Sequence, residues 1–153
     1  MMQALRIPIL IPCAVAAVVI FCTIFIHALP VSVTVDYLRR ARRLGRTGKN
    51  FWSDFGIIVL VMLATLAAHL IEIALWAEVF VICGEFQYFG TAFYHSAVNF
   101  TTLGYGDIVM TPHWRLLGPL EAANGMLLFG VSTAMVFALI QWLIQARFAD
   151  LKE

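Results

Sequence analysis

Residues 101–107 read Thr-Thr-Leu-Gly-Tyr-Gly-Asp, and these types offer main-chain chemistry more than side-chain chemistry. Gly104 and Gly106 can take dihedrals that L-residues resist. A chain that takes them can turn successive carbonyl oxygens the same way, and a file of such oxygens could replace the water shell of a cation. Other groups with chemistry to offer are few. His69 and Glu72 stand three positions apart, as do Glu121 and Asn124, so each pair shares one face of a helix. Two ligands do not make a metal centre, which leaves His69 and Glu72 short of one. Cys13, Cys22 and Cys83 show neither metal-ligand spacing nor a disulfide framework.

The elements that must position these residues follow from hydropathy. The chain has 153 residues, 62% hydrophobic and 12% charged, which is too apolar for a soluble domain and too short for several domains. Ile7 to Leu29 and Phe55 to Ala77 are apolar stretches of about 23 residues. At about 1.5 Å per residue, each can cross a hydrocarbon core of about 30 Å. A third stretch runs from Leu116 to about Ile144. Between the second and third, Glu85 to Pro112 is too polar and Gly-rich to span, yet it holds the apolar run Phe93 to Phe100. That pattern predicts a short re-entrant helix and loop, with Thr91 as its cap. Irregular backbone at membrane depth survives only where protein buries it or water lines it, so such a loop points to a cavity.

Charge orients the spans. The net charge of +1 suggests no nucleic-acid partner, but Arg39, Arg40, Arg42, Arg43, Arg46 and Lys49 all fall between spans one and two. Short loops rich in Lys and Arg stay cytoplasmic, so the N-terminus is expected outside and the C-terminus, with Arg147 and Lys152, inside. Span one is longer than a usual signal core, and Ala28-Leu29-Pro30 is a poor cleavage site, so it is expected to be retained. Pro30 is expected to end it. Val33, Val35, Leu38, Ala41 and Leu44 then recur at helical spacing opposite the arginines. They read either as a basic interfacial helix on anionic lipid or as a solvated loop that only sets topology. Gly45, Gly48 and Asn50 break the pattern, and Ser53 is a plausible cap for span two. Span one lacks the regularly spaced arginines of a voltage sensor, and no soluble ligand-binding domain is expected. A bacterial inner membrane is the expected location.

Thr102-Leu103-Gly104-Tyr105-Gly106-Asp107, placed after a short apolar helix and between two spans, resembles the potassium-channel signature TVGYGD. The resemblance covers about Phe51 to Gln145 and implies an all-α membrane fold. Its parts would be a pore domain over 51–153 with outer helix about 54–78, pore helix about 91–101, filter 102–106 and inner helix about 114–146, with 1–50 lying outside it. It implies a passive potassium-selective channel, no enzyme and no cofactor. Potassium ions would sit at carbonyls of Thr102, Leu103, Gly104 and Tyr105 and at the Thr102 hydroxyl. One filter segment cannot enclose an ion, so the resemblance further implies a homotetramer. Trp114-Arg115 follows the filter as such a pair often does in the family, Gly125 falls where the family's hinge glycine lies, and Gly130 matches a small-residue position. Both glycines equally suit plain helix packing.

Three positions depart from the family pattern. Leu103 replaces Val, Val98 stands where some members place a carboxylate that bonds the filter's Asp, and His95 stands where many carry a Trp behind the filter Tyr. Asp107 therefore needs another partner. Antiparallel spans would bring His69, Glu72, Glu121 and Asn124 to the depth of His95, Ser96 and Asn99. A buried polar belt is expected there, in which Glu72 or Glu121 bonds the pore helix and braces the filter. Two other functions fit less of the sequence: a weakly selective cation channel, against which the intact GYG speaks, and a non-conducting assembly subunit.

Overall fold

A computed structural model describes residues 2–43 and 51–149. They form four α-helices: α1 (Met2–Arg43), α2 (Phe51–Ile82), α3 (Phe89–Phe100) and α4 (Leu117–Ala149). Among the described residues there is no strand. Three of the helices, over Ile9–Ala41, Phe51–Ile82 and Leu117–Phe148, are long and apolar enough to cross a membrane. The 12-residue α3 is not, since at about 1.5 Å per residue it reaches only about 18 Å.

The expected end of span one at Pro30 is not observed, because α1 continues through Pro30 to Arg43. Proline removes one backbone N–H bond, but leaving the helix in an apolar medium would strand many more polar groups. Neighbouring hydroxyls serve carbonyls around the proline: Thr34 donates to Pro30 O at 2.7 Å and Ser32 to Leu29 O at 2.9 Å. Arg39, Arg40 and Arg43 thus ride on the last turns of α1, exposed, with no separate interfacial helix before them. Arg42 shares this stretch of backbone. Arg46 and Lys49, with Gly45, Gly48 and Asn50, lie outside the described residues, as does Lys152. The cap positions also differ: Phe51 is already helical ahead of Ser53, and α3 begins at Phe89 after Tyr88, ahead of Thr91.

The contacts divide into two units. Unit one, Met1–Ile26 with Leu70–Leu128, has a core of Ala16 and Val19 from α1, Ile73, Trp76, Ala77 and Phe80 from α2, Ala92 and Phe100 from α3, and Leu117 and Leu128 from α4. The short helix α3 therefore shares one core with all three spans. Unit two, His27–His69 with Phe129–Glu153, centres on Ile57, Val61, Leu139 and Leu143. Its α2 and α4 are also joined by Arg147, which donates to Asp54 Oδ2 at 3.2 Å.

Polarity is distributed as lipid demands. Thr23, His27, His69, Glu72, Ser96, Glu121, Asn124 and Ser132 are all buried, whereas Leu10, Val18, Phe21 and Phe25 on α1 are exposed. Water would favour the reverse. In hydrocarbon, polar side chains turn toward one another and apolar ones face out. The chain is an integral membrane protein by this pattern and by its three spans.

Candidate functional site

The loop 101–107 begins where α3 stops, and the stop is hydrogen-bonded. Thr101 N–H bonds Ala97 O at 3.1 Å, Thr102 N–H bonds Asn99 O at 2.8 Å, and the Val98 carbonyl accepts from Leu103 N–H at 3.0 Å and Gly104 N–H at 3.3 Å. Val98 therefore does hold the loop, though through its carbonyl. The backbone then alternates in hand: φ is +61° at Thr102, +55° at Gly104 and +72° at Gly106, while Leu103 and Tyr105 keep negative φ. Residues of one hand in an extended chain point successive carbonyls to opposite sides, and alternating hands bring them toward one side. Thr102 is the member that sequence reasoning missed. A β-branched residue at positive φ is a strained outlier, costing about 1–2 kcal/mol, and the bonds at Asn99 and Val98 hold it there.

Residues 68–141, which run from α2 through α3 and this loop into α4, match the ion channel family model. That stretch is similar to an ion channel, and the residues before and after it lie outside the match. No curated protein and no solved structure matches the chain.

Behind this loop, Asp107 has the partner that its surroundings in sequence did not announce. The Tyr94 hydroxyl, on α3, donates to Asp107 Oδ2 at 2.8 Å. That bond to the carboxylate is the chief cause that pushes the Tyr94 phenol above its ordinary value, with burial adding to it. His95, the next residue, is buried against Phe80 and Phe86, with ring centroids at 5.6 and 5.1 Å. Asn99 Nδ2 lies 2.9 Å from His95 Nε2. An amide nitrogen only donates, so Nε2 accepts and the ring hydrogen is assigned to Nδ1. Burial pushes the imidazole below its ordinary value, opposed by Asp107, the Ile108 backbone and Glu85. His95 thus supports the segment after Asp107, at Ile108. Outside α3, the Glu85 carboxylate accepts from Thr111 N–H at 2.7 Å and from the Thr111 hydroxyl, tying the chain before α3 to the chain after the loop.

The polar belt splits in two. Ser96 lies 2.8 Å from Ile73 O and in short contact with Glu121 Oε1, so one hydroxyl on α3 meets both α2 and α4. Glu121 is the carboxylate seen to bond α3, and Glu72 is fully buried on α2. Asn124 and His69 instead bond groups that sequence reasoning did not single out: Asn124 bonds Thr23 on α1, and His69 bonds Ser132 on α4, which also bonds His27 on α1. The available signal was the presence of Thr23, His27 and Ser132 inside otherwise apolar helices. Of the hinge candidates, Gly125 packs on the Phe100 carbonyl at the end of α3, while Gly130 has nothing within 4 Å of an added Cβ. Both lie inside the continuous α4.

The Ser96–Glu121 bond makes a measurable claim. A buried hydrogen bond to a carboxyl group contributes about 1–3 kcal/mol, so Ser96→Ala and Glu121→Gln should each lower the melting midpoint of the purified protein. The double variant should fall by less than their sum. Strict additivity would show that the contact contributes nothing.

Proposed function

We propose that this chain is one subunit of a potassium-selective channel, in which four copies place Thr102, Leu103, Gly104, Tyr105 and Gly106 around one pore. The observation that carries this reading is the alternating backbone hand at residues 102, 104 and 106. It suits a file of carbonyls, and carbonyl rings substitute for the water of a dehydrated potassium ion. The ions would be held by carbonyls of Thr102, Leu103, Gly104 and Tyr105, with no other cofactor and no catalytic step. Flux is passive, down the electrochemical gradient.

A homotetramer is part of the proposal, because one loop cannot close a ring. The exposure of Leu103 (58%) and Tyr105 (67%) on a single subunit supports it, since large side chains beside a filter find cover against neighbouring copies. The end of α3 adds a further reason: a helix C-terminus carries partial negative charge, which favours a cation on the inner side of the loop. The proposed orientation places the N-terminus outside and the end of α4 in the cytoplasm of a bacterial inner membrane. Arg39, Arg40 and Arg43 then reach the inner headgroups, where each exposed guanidinium attracts anionic lipid.

Purified protein in liposomes, loaded with potassium or with sodium, tests the proposal. Potassium efflux well above sodium efflux is expected. Equal fluxes would assign a weakly selective cation channel, and no flux from verified tetramers would assign a non-conducting subunit.

A further inference from the structure

The helix α1 precedes residues 68–141, the part that matches the channel family, yet it is pinned to the inner helix α4 by buried polar bonds. In unit one, Asn124 Nδ2 donates to Thr23 Oγ1 at 2.8 Å, and Thr23 gives its own hydrogen to Ile20 O at 2.9 Å. In unit two, Ser132 Oγ lies 3.1 Å from His27 Nε2 and 3.0 Å from His69 Nε2, and the two rings have centroids 5.0 Å apart. One hydroxyl, with a hydrogen and two lone pairs, can serve both rings. Thr23, His27, His69, Asn124 and Ser132 are all buried.

The places on α4 are telling. Asn124 is next to Gly125, whose Cα rests on the carbonyl of Phe100 at the end of the pore helix, and Ser132 follows Gly130 by two positions. Each of these glycines therefore has a bond to α1 close by, at Asn124 in unit one and at Ser132 in unit two. Helices bend most readily at small residues, and a bend there must strain or break these bonds.

We infer that Thr23 and His27 are positioning residues for the inner helix: Thr23 holds Asn124 beside Gly125 within unit one, His27 holds Ser132 near Gly130 within unit two, and each bond resists bending of α4 at its own glycine and so sets how readily the channel opens. The inference rests on the channel reading above and adds to it a role for the first span. Ion preference stays with the loop at 102–106, so the two properties separate.

The test is potassium and sodium flux from liposomes holding the full-length protein, with Thr23→Val and His27→Phe alone and together. Interhelical hydrogen bonds in membranes are weak individually, so each loss should raise unstimulated potassium flux about threefold per pin. The double variant should multiply the two, since the pins share no partner. The potassium-to-sodium ratio should stay at its wild-type value. Thr23→Ser keeps the hydroxyl and should restore wild-type flux, which a loss of packing alone would not produce. Should either variant elute abnormally from a sizing column, Asn124→Leu and Ser132→Ala remove these bonds from the α4 side, the second together with the Ser132–His69 bond. Unchanged flux in variants of a conducting wild type overturns the inference and leaves the channel reading standing. A ratio that falls with the flux overturns it too, because the pins would then act on the loop. A wild type that passes no ion overturns the channel reading itself.

Discussion

Gly125→Ala is expected to lower the stability of the folded protein by about 2–3 kcal/mol per subunit, near the upper end of the usual cost of overpacking. A Cβ at position 125 would clash with Phe100 O and fall 3.0 Å from its carbonyl carbon and 3.1 Å from its Cγ. The nearest of these are backbone atoms of a residue with no exposure, in the last turn of α3, so no rotamer change relieves the clash. Instead α4 must back away from α3, and it would draw Glu121, one turn earlier, from Ser96. Thermal unfolding in detergent reads the cost. Gly130→Ala is the control: its Cβ meets nothing within 4 Å, and alanine favours a helix over glycine by about 1 kcal/mol. It should melt at or above the wild-type midpoint. If the two alanines melt alike, close packing is not what position 125 requires glycine for.

Gly104→Ala is expected to act on ion preference far more than on melting. Its φ is +55°, and an added Cβ would meet nothing within 4 Å, so the penalty is purely conformational. An L-residue held in that region costs about 1–2 kcal/mol. That cost lowers the share of loops in the alternating conformation about 5–30-fold per subunit. Gly106→Ala, at φ +72° and equally open, should behave the same way. The potassium-to-sodium flux ratio should collapse in both variants while the melting midpoint moves little, because the α3 and α4 contacts are untouched. A preserved ratio would mean that the alternation is dispensable. Thr102 shows that one L-residue can be kept at positive φ, but its N–H bonds Asn99 O and the next N–H bonds Val98 O, a hold from the helix end that weakens by Gly104, whose bond to Val98 O is 3.3 Å.

Much of this architecture was legible in the residue string because each signal is local. Apolar runs too long for anything but a span, and two glycines at alternate positions, need no partner to be read. Pro30 misled because its local effect is real but small beside the cost of ending a helix in lipid, and α1 runs through it. The departures at His95 and Val98 were visible, but their consequences were not. Asp107 found Tyr94, one position before His95, and Val98 supports the loop by its carbonyl, an atom that no side-chain pattern reports.

The sequence by itself determined that the chain lies in a membrane, that a short helix and loop sit between two spans, and that residues 102–106 have the backbone freedom for a carbonyl file. Tertiary structure decided which buried polar group meets which. Glu121 bonds Ser96, Asn124 turns to Thr23, and Ser132 gathers His27 and His69. Helical periodicity assigns a residue to a face of its own helix, whereas the partner across the gap depends on how far each helix is rotated and shifted against the next. That registry is a property of packing, and it sets buried groups of α1 against buried groups of α4.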